Sequence, residues 1–434
     1  MLPFVTAEPV ADFSQDTWWI WLIKAVFIIL FLILSVLLML WLERRGLGRV
    51  QTRPGPNVIG PFGFFQAIAD ALKLLLKEDF WLKGADKVIY ILGPIISAFA
   101  AFMVMAVIPM GPNVNMFGIN TPLQLADMPV GMLYILAITG LGVYGLVLGG
   151  WAARSPYSLF GAVRASAQMI SYELSMGLAL VSVFLVSGSM STSSIVAAQA
   201  SQWWIVSLFP AFIIYFISGN GEINRLPFDL PEAEGEIIAG PMTEYSSMKF
   251  AWFYLAEYIN LLNVAMVTTT VFLGGWLAPW PFNQLGIMSG GWWGMFWFIA
   301  KMWLIAAIFV WIRGTLLRVR YDQLMKLGWK ILIPVALVWL VAVAVVQGVM
   351  AFTDIQQSTF LIGIAVAFGI VILALLLWPE KKEVAAVEEA EEVFDPYAGG
   401  YPIPPMPGQQ LPPSPRRRRR EAALAMSTEE ASDE

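Results

Sequence analysis

The chain has 434 residues, 58% of them apolar and only 13% charged, with a mean hydropathy of +0.70. A water-soluble domain sits nearer half apolar and a quarter charged, so the composition excludes one. Cysteine and histidine are both absent. That removes disulfides, thiolate-held iron–sulfur clusters, Cys/His zinc sites, His-ligated haem and Ser/His or Cys/His nucleophile pairs, and no metal site is expected. Proton chemistry falls to Asp, Glu, Lys, Arg or Tyr.

Nine apolar stretches are long enough to cross a hydrocarbon core of about 30 Å. They run over 18–42, 88–109, 130–150, 165–188, 203–219, 250–275, 292–312, 331–350 and 358–378. The first is too long for a signal peptide and follows acidic Glu8, Asp12 and Asp16 instead of a basic segment. The predicted fold class is all-α: a polytopic membrane helix bundle of about nine transmembrane helices, with an interfacial amphipathic helix and a disordered C-terminal tail. The domain division expected is 1–378 for the membrane part and 379–434 for the tail. The tail holds acidic Glu388, Glu389, Glu391 and Glu392, a proline-rich stretch over 402–415, and Arg416 to Arg420. Such a composition cannot bury a core, and its arginine run suits anionic lipid.

Lysine and arginine are divided very unevenly. Loops 43–87, 151–164, 218–249 and 313–330 hold eight, two, two and five, whereas the N-terminus and loops 110–129, 189–202, 276–291 and 351–357 hold none. The positive-inside rule makes the four basic loops cytoplasmic, the N-terminus external and the tail cytoplasmic. Trp18, Trp19, Trp203, Trp204, Trp292 and Trp293 fall at outer span ends, as an aromatic belt does. The outer loops carry little else of note.

In the first inner loop, Glu43-Arg44-Arg45 stands at the membrane edge and Gln51 to Asn57 forms a stiff turn. Gln66, Asp70, Lys73 and Lys77 then recur at steps of four, three and four on an otherwise apolar stretch, which predicts a helix lying flat in the interface. It reads as a plain anchor or as one wall of a lipid-accessible crevice. Loop 218–249 reverses the usual balance, with Glu222, Asp229, Glu232, Glu234, Glu236 and Glu244 against Arg225 and Lys249. Apolar residues interleave with these acids. Crowded, partly buried carboxylates repel each other and can exchange protons near neutrality; the alternative is a loop docking on a basic partner.

Three ionisable residues lie within spans. Glu173 sits about 12 Å and Glu257 about 10 Å from the span ends at 1.5 Å per residue, and Lys301 lies near the middle of the seventh span. Facing lipid, each costs roughly 2.5–3.5 kcal/mol. They are expected to face the bundle interior, as an ion or proton path or as a buried Glu–Lys pair. Lys24, near a span end, is expected to snorkel.

The run Glu222-Ile223-Asn224-Arg225-Leu226-Pro227-Phe228-Asp229-Leu230-Pro231-Glu232-Ala233-Glu234-Gly235-Glu236 resembles the signature loop of one family. That family is the H subunit of bacterial NADH:quinone oxidoreductase, respiratory complex I, with its organellar counterparts. Gln51 to Asn57, Ser171-Tyr172-Glu173, Thr243-Glu244-Tyr245, Ala256-Glu257-Tyr258 and Arg320-Tyr321-Asp322-Gln323-Leu324-Met325 support it in matching order over about 18–350. The resemblance implies a multi-pass subunit of the bacterial plasma membrane at the junction of the membrane and peripheral arms. It implies an enzyme subunit without a complete active site or any catalytic residue of its own. It implies a quinone access chamber matched by Arg45, Asp70, Arg225, Phe228 and Asp229, and an acidic channel matched by Glu173, Glu232, Glu234, Glu236, Glu244, Glu257, Lys301 and Arg313. Quinone is then the substrate. NADH, flavin and iron–sulfur clusters belong to partner subunits, and the implied neighbours are the peripheral-arm quinone-site and iron–sulfur subunits, small membrane subunits and the bilayer, with no nucleic acid. Val58, Ile223, Gly235 and Pro241 depart from the family's usual Arg, Thr, Ser and aromatic. Two rivals are a related membrane component of an energy-converting hydrogenase and an autonomous proton or cation transporter. The second predicts inverted repeats and broken midplane helices, which the sequence does not display.

Overall fold

The computed structural model describes residues 11–230, 239–279, 282, 290–350 and 363. Helix α1 runs over Trp18–Val50, and the amphipathic α2 over Gln66–Leu76. Helix α3 (Lys87–Val104) continues as a 3-10 turn to Val107. A two-stranded antiparallel hairpin, β1 (Asn113–Met116) and β2 (Ile119–Pro122), leads to α4 (Gly131–Ala152) and α5 (Pro156–Ser187). Short α6 (Thr192–Ala198) and α7 (Trp204–Ser207) precede α8 (Phe209–Glu222). Then follow α9 (Ser247–Phe272), α10 (Trp292–Thr315), α11 (Tyr321–Lys326), a π-helical turn over Leu327–Leu332 and α12 (Ile333–Met350).

Seven helical segments among the described residues are long and apolar enough to span a membrane, which bears out a polytopic helical membrane protein. The stretch predicted over 203–219 is broken at Leu208, where Pro210 enters in the first turn of α8 and α7 ends after four residues. The ninth predicted span, over 358–378, and the tail lie outside the described residues.

Helix α9 is the axis of the bundle, packing on α1, α2, α3, α6, α7, α8 and α10. Nearly every side chain from Tyr258 to Phe272 is buried. Its threonines 268, 269 and 270 return their hydroxyls to the carbonyls four residues back, at 2.6 to 2.9 Å, so no polar hydrogen is left orphaned where water is scarce. Without a hydrophobic drive between helices in lipid, close approach relies on small residues. Helices α3 and α4 meet through Gly93, Ser97, Gly145 and Gly149; a Cβ on Gly145 would collide with the Ser97 hydroxyl and lie 2.7 Å from the Gly93 carbonyl.

Lys24 departs from the expectation. Its ammonium reaches back toward the start of α1 but ends buried under the hairpin, donating to Asp16 at 2.6 Å and Thr121 at 2.5 Å. The hairpin thus covers an ion pair that charge counting by loop does not register, because both its residues lie outside that loop.

Candidate functional site

The turn after α8 places the central cation. Asn224 takes a left-handed conformation (φ 58°), reversing the chain. Gln168 on α5 donates to the carbonyls of Gly221 (2.6 Å) and Phe228 (2.7 Å) and so clamps both ends of the turn. The Val319 amide donates to the Pro227 carbonyl at 3.0 Å, and Phe228 packs on Tyr172. With both flanks held, the Arg225 side chain runs inward and is 5% exposed.

Arg225 joins two helices. It donates to Glu43 on α1 and to Glu257 on α9, each at 2.6 Å, and its guanidinium lies 3.7 Å above the Tyr258 ring. The other Glu43 oxygen accepts from Arg313 on α10. Burial works against the Arg225 charge, but Glu257 and Tyr258 outweigh it and raise its pKa above the ordinary arginine value. Arg225 is therefore a fixed positive charge. Fork-shaped donors suit carboxylates, and burial makes the set unforgiving, since an unmatched charge in such a place costs several kcal/mol.

Two small cavities adjoin Glu222, and the first of them also reaches Glu257. One, about 40 Å³ of water-accessible room, is bounded by Glu257, Glu222, Asn224, Asn260 and Ser97. The other, about 20 Å³, is bounded by Glu222, Thr139, Asn260, Asn263 and Tyr215. Each has room for at least one water. Buried oxygens of Glu222, Asn224 and Asn263 lack a hydrogen-bond partner and are available to it. Glu173 on α5 lies close enough to act electrostatically on Glu222. It makes no hydrogen bond or ion pair of its own among the described residues. A line of carboxyls thus runs from Glu257 through Glu222 to Glu173, with one cavity between the first two.

The other sequence-predicted residues fall elsewhere. On the amphipathic α2, Asp70 pairs with Arg44 and accepts from Gln66 at 3.0 Å. Arg45 donates to the Phe62 carbonyl at 2.8 Å and lies over the rings of Trp41 and Phe62. Asp229 is half-buried and near enough to influence Glu257. Glu244 is half-buried, and its carbonyl accepts from Tyr90, which stacks on Tyr245 at 4.2 Å. Lys301 is not brought to a carboxylate among the described residues. It donates to the carbonyls of Leu273 (2.6 Å), Gly275 (3.0 Å) and Leu277 (2.6 Å), closing the end of α9, with Trp203 beneath its charge. The Glu–Lys pairing weighed for it is not found there. Glu232, Glu234 and Glu236 lie outside the described residues.

A profile of the NADH dehydrogenase family matches residues 23–344. The chain belongs to that family. It is also 51% identical, over 98% of its length and 96% of the relative's, to the H subunit of NADH-quinone oxidoreductase from Streptomyces avermitilis. The family profile thus spans every helix of the cluster and stops before the tail, whereas the relative matches across nearly the whole chain. Two carboxylates of the site, Glu43 in the cluster and Glu222 beside it, do not stand out as site residues in the sequence. Glu43 reads as membrane-edge punctuation beside two arginines, and Glu222 as one acid among six. Their shared signal is a carboxylate within three residues of the end of an apolar stretch.

Proposed function

We propose that this chain forms a quinone access chamber and the first part of a proton-coupling path. Family membership makes it a membrane subunit of NADH:quinone oxidoreductase, so its partners are other subunits of that complex. The observation that carries the finer reading is Arg225, buried between Glu43 and Glu257 at the head of a carboxyl line.

Quinone reaches the chamber from the bilayer beside α1 and α2, where Arg45 and Asp70 line the way and Arg225, Phe228 and Asp229 stand further in. NADH, flavin and iron–sulfur clusters reside on peripheral-arm subunits, and small membrane subunits adjoin on the flank. Quinone reduction consumes protons and leaves negative charge near loop 218–249. That change alters the proton occupancy of Glu232, Glu234, Glu236 and Glu244 and is felt, past the arginine-bound Glu257, by Glu222 and Glu173. Arg313 balances Glu43, and Lys301 stands at the far end of α9. The same reading sets the chain in the bacterial plasma membrane with its N-terminus outside, its basic loops and tail cytoplasmic, residues 1–378 forming the membrane part and 379–434 the tail. Identity across nearly the full length of a quinone-enzyme component favours this over a hydrogenase relative.

Glu222→Gln keeps the shape and removes the titrating proton. In proteoliposomes the intact variant complex is expected to reduce quinone while pumping fewer protons per NADH. Unchanged stoichiometry at unchanged turnover refutes the path.

A further inference from the structure

The hairpin turn between β1 and β2 is built from the wrong residue for its geometry. Met116 pairs with Ile119, so the loop is the two residues Phe117 and Gly118, with φ of 53° and 90°. Two positive φ angles define a turn that favours Asn-Gly or Asp-Gly, and a bulky aromatic at the first position is disfavoured. Phe117 recovers little inside the chain. It is 79% exposed, its one ring contact among the described residues being an edge-on packing with Trp19 at 6.1 Å. A side chain that strains the turn and stays outside the core gains its stabilisation from something outside the chain.

Three observations say what that is. The tip is continuous with the lipid-facing surface of α1, where Trp18 (76% exposed), Trp21 and Leu22 stand bare on a span of high hydropathy. No charged residue occurs from Gly111 to Ala126, so nothing in the hairpin resists partial burial in headgroups. The hairpin is also fixed in height: Lys24 within α1 holds Thr121 and Asp16 together in a buried set, and the Asn120 amide donates to Gln15. Phe117 is therefore held at the level of the first turn of α1, where aromatic rings favour the boundary between water and hydrocarbon.

We infer that the Phe117–Gly118 tip is a membrane-surface anchor, seated in the headgroup layer on the side of the bilayer where α1 begins. Its occupant is lipid of any headgroup charge.

The test uses the intact complex in native membranes, labelled in parallel with a bilayer-partitioned carbene precursor and with aqueous hydroxyl radicals. The peptide containing 116–119 is expected to take the carbene as heavily as the segment bearing Trp21 and Leu22, and to resist the aqueous label. Aqueous labelling of the tip overturns the inference by placing it in solvent. Absence of both labels overturns it by placing another protein over the tip. Phe117→Asn suits the turn and strips the anchor. It is expected to cut carbene labelling several-fold and raise aqueous oxidation of Met116, with turnover unchanged; retained carbene labelling refutes the role of Phe117.

Discussion

Replacing Arg225 tests whether the buried cluster is one electrostatic unit. Arg225→Met keeps most of the stem volume and removes the charge. Glu43 retains Arg313, whereas Glu257 loses its ion-pair partner (14% side-chain exposure). Breaking a buried pair from one side costs about 3–5 kcal/mol, because the remaining charge must be neutralised or wetted. Glu257→Gln alone leaves Arg225 paired with Glu43 and costs about 1.5–3 kcal/mol, the worth of a charged hydrogen bond. Independent effects sum to roughly 5–8 kcal/mol. In the double variant no orphan charge remains, so the loss is expected to stay near 3–5 kcal/mol, a coupling of roughly 1.5–3 kcal/mol. The readout is the temperature at which half the assembled complex survives on native gels after heating isolated membranes; Arg225→Met is expected to lower it on the order of 10 °C. Arg225→Lys restores charge without the fork and is expected to fall between. If the two single losses simply add in the double variant, Arg225 and Glu257 do not act as a pair and the electrostatic reasoning fails.

Asp70→Asn removes a partly exposed pair with Arg44 and is expected to cost about 1 kcal/mol of stability or less; a several-fold rise in apparent quinone KM at unchanged assembly then reports contact with the quinone route, and an unchanged KM removes Asp70 from it. Gly145→Val drives a side chain into Ser97 and the Gly93 backbone and is expected to abolish accumulation of the protein in membranes, with Gly145→Ala intermediate. Lys301→Met leaves three carbonyls without their shared donor. It is expected to lower heat tolerance of the complex, at about 1–3 kcal/mol for a buried group left unmatched; lost pumping at full heat tolerance shows instead that Lys301 belongs to the proton path.

What the sequence made legible was whatever has a long period. Apolar runs located the ends of α3, α4 and α10 within a few residues, and the alternation of Gln66, Asp70 and Lys73 on an apolar background marked α2. Helix α5 begins at Pro156, nine residues before the predicted span, because its first turns carry Tyr157, Ser158 and Arg164 and read as loop. Proline at the first helical position pre-sets the turn there. The hairpin stayed invisible because its turn is Phe-Gly, which carries none of the Asn-Gly chemistry that announces one. At the site, Arg225 and Glu257 stood out by residue type, since a charge in an apolar setting is costly wherever it falls. Their partner Glu43 did not. It is 182 residues from Arg225 along the chain, and only the third dimension supplies that adjacency.

The charge count of the cluster limits what it can do. Glu43 and Glu257 are matched by Arg225 and Arg313, so the four groups sum to zero and hold one another in place. A matched set buried this way resists change in its proton content, because gaining or losing one proton strands a charge. Glu222 and Glu173 have no basic partner among the described residues; Glu222 lines both cavities, and Glu173 lies within electrostatic reach of it. The division of labour follows. On the path proposed above, the arginine-bound carboxylates hold the scaffold and set the local potential, and the unmatched pair beyond them changes its proton count when that potential moves. Removing a matched carboxylate therefore ought to weaken the complex first and pumping second. Removing Glu222 or Glu173 as the glutamine ought to spare the complex and strike pumping alone, and the reverse order in the two classes of variant contradicts this assignment.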